Sequence, residues 1–207
     1  MKIDNVTASS IAEQCQRNWN QNKKVSDEHI NEIIQVATNM PTKQNREYYQ
    51  LVVSTDLELN RQLYSVAIDD SNLGFKKQFH RNGQVLAPLL LLWFSTKPIE
   101  DKFNDDFTEQ FQISIGISSG AAALHATSLG YKTGFCCCMK WKTARQLLKA
   151  KGVYLSSQLV GHGLALGIGF PSTDHRGDVV VDKKIRLTLE NDGIECGIEK
   201  DIMVHKV

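Results

Sequence analysis

A chain of 207 residues, 42% of them hydrophobic and 23% charged, can bury one good core, and a single domain is the expectation. Twenty-four basic against 23 acidic residues leave a net charge of +1, so the basic excess of a nucleic-acid binder is missing and no nucleic-acid partner is expected. The longest apolar run, Val85 to Phe94, is well short of the roughly 20 residues that cross a bilayer, and the first five residues lack the apolar stretch of a secretion signal. No membrane partner and a cytoplasmic location are therefore expected.

Ser26 can cap a helix whose first turn carries Asp27 and Glu28, and Ile30, Ile33, Ile34 and Ala37 then form one apolar stripe ending before Pro41. Tyr48 to Ser54 is short, aromatic and β-branched, which predicts a strand. A second helix follows, with Leu59, Leu63, Val66 and Ala67 inward. Ser71 to Gly83 is polar and mixed, a loop with a short helix. Ala87 to Phe94 reads as a fully buried strand. The longest helical pattern runs from about Asn104 to Leu129, with Gly130 as its C-cap. Its run of small residues, Ser118 to Ala123, lets another backbone approach, either within the core or at an oligomer interface. Thr133 to Met139 is predicted as a strand, Thr143 to Lys151 as a helix, Leu159 to Phe170 as a strand, and Asp178 to Leu189 as strand-like. Alternating helices and strands without a linker point to one layered α/β or α+β domain.

Five cysteines, three of them adjacent (Cys136, Cys137, Cys138), do not form a disulfide framework, and no histidine stands at zinc-ligand spacing from them. The triplet is expected to lie in a buried strand, where neighbouring side chains point to opposite faces and cannot converge. No metal site is expected. The six histidines form no ligand set, and nucleophile-elbow, P-loop and dinucleotide-binding patterns are missing, so hydrolase and kinase chemistry has no support.

Five segments, taken in order, resemble the nitroreductase family. Arg17-Asn18-Trp19-Asn20-Gln21 lies where that family carries an Arg-x-Ser-x-Arg/Lys flavin-binding signature. Met40-Pro41-Thr42-Lys43-Gln44-Asn45-Arg46-Glu47-Tyr48-Tyr49 resembles its Ala-Pro-Ser-x-x-Asn-x-Gln-Pro-Trp turn. Leu86-Ala87-Pro88 precedes an apolar strand, as in the family. The helix from Gly116 to Leu129 with Gly130-Tyr131-Lys132-Thr133-Gly134 resembles the long central helix and its Leu-Gly turn, and Leu166-Gly167-Ile168-Gly169-Phe170-Pro171 resembles the Leu-Gly-Tyr-Pro strand end.

The resemblance implies an α+β fold, a three-layer α-β-α sandwich around a mostly antiparallel sheet. Residues 1–207 would form a single FMN-binding domain that works as a homodimer, with the segment from about 172 to 207 extending along the partner subunit. It implies FMN as cofactor, NADH or NADPH as electron donor, and a small-molecule acceptor such as a nitroaromatic or quinone. A carrier or sensor that binds flavin without turnover, or a relative performing reductive dehalogenation or flavin fragmentation, are the alternatives. Arg17 is implied as the first phosphate contact, alongside Asn18, Trp19 and Gln21, with Lys183, Lys184 and Arg186 as further basic candidates. Pro41, Thr42, Lys43 and Asn45 are implied on the loop that meets the partner's cofactor. Asn45 reads equally well as a turn residue. Asn82 and Gln84 are implied near the flavin ring. No side chain is implied as an acid or base, since the flavin carries the chemistry and the backbone N–H groups of Cys137 and Cys138 face its reactive nitrogen. Trp19 for Ser and Gln21 for Arg or Lys depart from the pattern.

Overall fold

The computed structural model describes residues 4, 7–8, 15–42, 45–67, 82–96, 107–156, 159–172, 187–188 and 195–196. Helix α1 (Asp27–Thr38) starts where the sequence predicts, with the Ser26 hydroxyl accepting from the His29 N–H. Of its stripe, Ile33 and Ala37 are fully buried. Strand β1 (Tyr49–Ser54) and helix α2 (Leu57–Val66) follow, the latter capped by Asp56, whose carboxylate accepts from the N–H groups of Glu58 and Leu59. A 3-10 turn (Gly83–Leu86) leads through Ala87-Pro88 into β2 (Leu89–Thr96), every residue of which is buried.

Helix α3 (Phe107–Ser128) is the longest element. Gly130, with φ of +92°, closes it in the left-handed region that a Cβ would strain, and the Tyr131 N–H reaches back to the Ala126 carbonyl at 3.1 Å. Then come β3 (Lys132–Cys136), α4 (Trp141–Ala150) and β4 (Leu159–Gly169). Two-residue strands at Leu187–Thr188 and Glu195–Cys196 pair with each other.

The four main strands form one sheet in the order β1-β2-β4-β3, each neighbouring pair antiparallel. Strand alternation divides the core in two. Leu89, Leu91 and Trp93 pack with Ile33 and Ala37 of α1 and Phe111, Ile115, Ala122 and Ala126 of α3. Leu90, Leu92 and Phe94 pack instead with Leu59 and Leu63 of α2 and Trp141, Ala144 and Leu148 of α4. A buried polar relay ties the first cluster together: Trp93 Nε1 donates to Ser118 Oγ at 2.8 Å, and that hydroxyl donates to the Ala37 carbonyl at 2.6 Å.

One open alternative is resolved here and one expectation changes. The run Ser118 to Ala123 faces inward at Ser118, Ser119, Ala122 and Ala123, while the outward face of α3 carries Ile113, Gly116, Ile117 and Gly120. The strand predicted through Met139 ends at Cys136, so Cys137 and Cys138 lie beyond the sheet. The chain turns there because the Met139 N–H closes onto the Cys137 carbonyl at 3.0 Å, a bond that extended backbone cannot make. The predicted loop at 71–83 and strand at 178–189 fall largely outside the described residues.

Candidate functional site

The segment around Arg17 is laid across the end of the sheet by backbone hydrogen bonds. Gln16 N–H donates to Thr133 O at 2.8 Å, Asn20 N–H to Phe170 O at 2.9 Å, and Ser172 N–H to Asn18 O at 3.0 Å. Trp19, paired with Pro171, drives its indole into the interior, where its Nε1 donates to Gly83 O at 2.9 Å. Glycines make room for this. A Cβ at Gly167 would lie 2.1 Å from Gln84 O and 3.0 Å from the Trp19 ring, and one at Gly134 would lie 2.1 Å from Gln16 O. The indole standing where the resemblance has Ser is thus a buried wedge, only 4% exposed.

Three sequence-distant segments converge here. The Arg17 carbonyl abuts Gly83, where a Cβ would lie 2.6 Å away, and Asn82 Nδ2 donates to the carbonyls of Ala67 at 3.2 Å and Cys138 at 3.5 Å. Gln84 Nε2 reaches Cys15 Sγ at 3.6 Å. Arg17, Asn82, Gln84 and the Cys137-Cys138 turn therefore share one corner of the fold.

Its polar groups are not all satisfied. Arg17 Nε, Gln84 Oε1 and Thr133 Oγ1 are buried without a hydrogen-bond partner among the described residues. Leaving a buried donor unpaired costs about 1–3 kcal/mol, more when it is charged. The Cys137 N–H likewise has no acceptor among the described residues. Cys136 is buried, which pushes its thiol up to about 12, with neighbouring Cys138 adding to the shift, so it stays protonated near neutrality.

Gln21 is held at both ends, donating to Leu86 O at 3.3 Å and accepting from Arg61 Nη2 at 3.2 Å. It lines a cleft of about 460 Å³ with Lys24, Asp27, Asp56, Glu58 and Pro88. Arg61, absent from the sequence reading, thus brings a cation to the neutral position 21. Nothing in the sequence pairs two residues forty positions apart.

The second group of candidates lies elsewhere. Thr42 and Asn45 line a cleft of about 860 Å³ along the outer edge of β1, with Arg46, Tyr49 and Tyr154. Asn45 adopts a φ of 55°, its N–H donates to Thr42 O at 3.1 Å, and Thr42 Oγ1 donates to Arg46 O at 2.8 Å. The Thr42 side chain closes the turn, and Asn45 is exposed on it. Pro41 lies on the same turn, and neither cleft is lined by Arg17 or Cys138. Lys43, Lys183, Lys184 and Arg186 lie outside the described residues, so their expected contacts are not placed. Among the described residues no cluster of His, Cys, Asp and Glu could hold a metal ion, and no helix is long and apolar enough to cross a membrane.

An antiparallel sheet with long α3 against one face is a mixed α/β fold, and it is shared with solved nitroreductase-family structures. A nitroreductase family protein from Clostridium novyi NT superposes with a TM-score of 0.64 at 16% identity, over 83% of this chain and 87% of that one. A Staphylococcus epidermidis protein assigned as an NAD(P)H:FMN oxidoreductase gives 0.64 at 16%, over 89% and 95%. An Exiguobacterium sibiricum protein assigned as a nitroreductase, solved in complex with FMN, gives 0.61 at 18%, over 87% and 97%. No family model and no curated protein matches the sequence. The chain has the nitroreductase fold, and at these identities the likeness is one of fold.

Proposed function

We propose that the protein is an FMN-dependent oxidoreductase that passes electrons from NADH or NADPH to a small electron-poor acceptor such as a nitroaromatic or quinone. The observation that carries this reading is the buried, unpartnered Nε of Arg17 at the corner where Asn82, Gln84 and Cys137-Cys138 meet. A guanidinium held there fits a phosphate, whose oxygens match its planar donor fork. FMN, when bound, supplies hydride acceptance and electron delivery. The chain's own residues bind and orient. Arg17 holds the phosphate, with Asn18 beside it and Lys183, Lys184 and Arg186 as further basic candidates, while Gln84 and Thr133 offer their unpaired buried oxygens. Asn82 fixes the Cys138 carbonyl, so that the N–H groups of Cys137 and Cys138 face the ring edge. Trp19 supports this corner from within the core.

The reading includes a homodimer with α-β-α layering, in which Pro41, Thr42, Lys43 and Asn45 approach the partner's cofactor and 172–207 runs along the partner. What supports a dimer is the outward face of α3, where Ile113 is 52% and Ile117 41% exposed. A Cβ at Gly116 between them, or at Gly120 just beyond, would meet nothing within 4 Å. One second reading is a flavin-binding carrier without turnover, carried by Trp19 and Gln21 standing where the resemblance has Ser and a cationic residue. Flavin uptake tests the shared part: the purified chain should take up one FMN per subunit, and a chain that stays colourless in excess FMN is neither enzyme nor carrier.

A further inference from the structure

The three adjacent cysteines differ sharply in setting. Cys136 is buried at the end of β3, whereas Cys137 is exposed and Cys138 half-buried, and none of the three is in a disulfide. The Sγ atoms of Cys137 and Cys138 lie 4.0 Å apart. They converge because the strand stops at Cys136 and the chain turns immediately. The turn is held from several sides: Trp141 Nε1 donates to Cys137 O at 3.3 Å, Asn82 Nδ2 to Cys138 O at 3.5 Å, and Lys140 N–H to Val66 O at 2.9 Å. Two thiols are therefore presented on a fixed backbone, which lowers the ordering cost of binding across both.

We propose that Cys137 and Cys138 form a dithiol site for one soft, thiophilic atom bearing two exchangeable groups, the chemical class of the trivalent organoarsenicals. Thiolates select soft partners. At the near-right angle of a pyramidal trivalent atom, two bonds of about 2.3 Å, the length of a zinc–thiolate bond, hold their sulfurs roughly 3.3 to 3.5 Å apart. The 4.0 Å separation lies within about 0.7 Å of that span, a closure that rotation of the two side chains supplies. A direct disulfide of about 2.0 Å would need the two sulfurs to close half the gap. No cluster of three or more ligands that could hold a metal exists among the described residues, so a four-coordinate ion is poorly served and a two-thiol electrophile is well served. In the reaction, a hydrated organoarsenical loses two As–O bonds and gains two As–S bonds. The thiol protons leave with the two hydroxyls as two waters, and no oxidation state changes.

The inference is independent of the flavin reading, since it is scored by mass. The full chain, reduced and then freed of reductant, is treated with one equivalent of phenylarsine oxide and measured intact. One phenylarsenic adduct per chain is expected, removed by ethanedithiol but kept in mercaptoethanol at equal thiol concentration. Cys137→Ser and Cys138→Ser should each lose it, and Cys15→Ser should keep it. Circular dichroism checks that the variants fold. Alkylation mapping of the wild-type chain gives a second readout, with the arsenical expected to protect Cys137 and Cys138 together. A wild-type chain without adduct, protection at other cysteines, or an adduct retained by either of the two folded serine variants overturns the proposal.

Discussion

Arg17 carries more of the account than any other side chain. Its Nε is buried and has no partner among the described residues, while its backbone is fixed by the bonds of Gln16 and Asn18 on either side. A hydrogen bond to a charged group contributes about 1.5–3 kcal/mol, so Arg17→Ala should weaken FMN binding by about 10- to 150-fold, as read by fluorescence titration. An unchanged affinity would place the phosphate elsewhere. The Cys137-Cys138 turn makes a complementary prediction, since its proposed part in turnover is through amides. Cys137→Ala and Cys138→Ala should keep bound FMN and most NAD(P)H-dependent turnover. Cys138→Pro, which removes the N–H and fixes φ, should lose most of it in stopped-flow measurements of flavin reduction. Loss of turnover in both alanine variants with flavin retained would instead assign the chemistry to sulfur. At this scale the sequence was informative about position and poor about orientation. Position 17 and the turn residue Asn45 could be picked out by resemblance. That Trp19 points inward and that Gln21 meets Arg61 depend on contacts between distant segments, which no local pattern encodes.

The elements themselves were largely legible because their patterns are strong. The stripe of α1, the unbroken apolar β2 and the Gly130 stop of α3 each reflect a local rule. β3 was overextended because three cysteines continue an apolar run, and only the turn closing at Met139 ends it. Where β3 and β4 meet the Arg17 segment, glycine is required by close approach. Gly134→Ala or Gly167→Ala pushes a methyl to within 2.1 Å of a backbone carbonyl. Such overpacking costs roughly 1–3 kcal/mol, so the melting temperature should fall by about 2 to 12 °C. A wild-type melting temperature would mean that the segment is not seated on the sheet. The cap of α2 gives a pH-dependent case. The hydrogen bond from Lys151 Nζ at 2.9 Å, then the Leu59 N–H, hold the Asp56 carboxyl below its ordinary value of 3.8. A folded pKa below the unfolded one adds stability that is present above 3.8 and lost as pH falls through the depressed value. Asp56→Asn should therefore melt below wild type at pH 7, with the gap closing as pH falls below 3.8 through the depressed value. A gap that stays constant with pH would remove the carboxylate from the explanation.

On the scale of the whole molecule, the exposed Ile113 and Ile117 share one face of α3, four residues apart. The proposed homodimer would cover this face. Light scattering should give twice the 23.2 kDa chain mass, and Ile117→Lys, which sets a charge in that face, should give the monomer. A wild-type monomer would leave the face without its proposed partner. The sequence leaves the small residues Ser118 to Ala123 open to core or interface, and the structure uses Ser118, Ser119, Ala122 and Ala123 for close packing of α3 inside the fold. Helical periodicity alone does not say which face turns outward when both are apolar or small. The central claim is that this corner of the fold holds a flavin that exchanges electrons, and anaerobic addition of NADH or NADPH to the FMN-loaded protein tests it most directly. The account predicts rapid bleaching of the flavin absorption band, reversed when a quinone or nitroaromatic is added. A protein that binds FMN yet keeps its colour under both donors would contradict it, and would be a carrier.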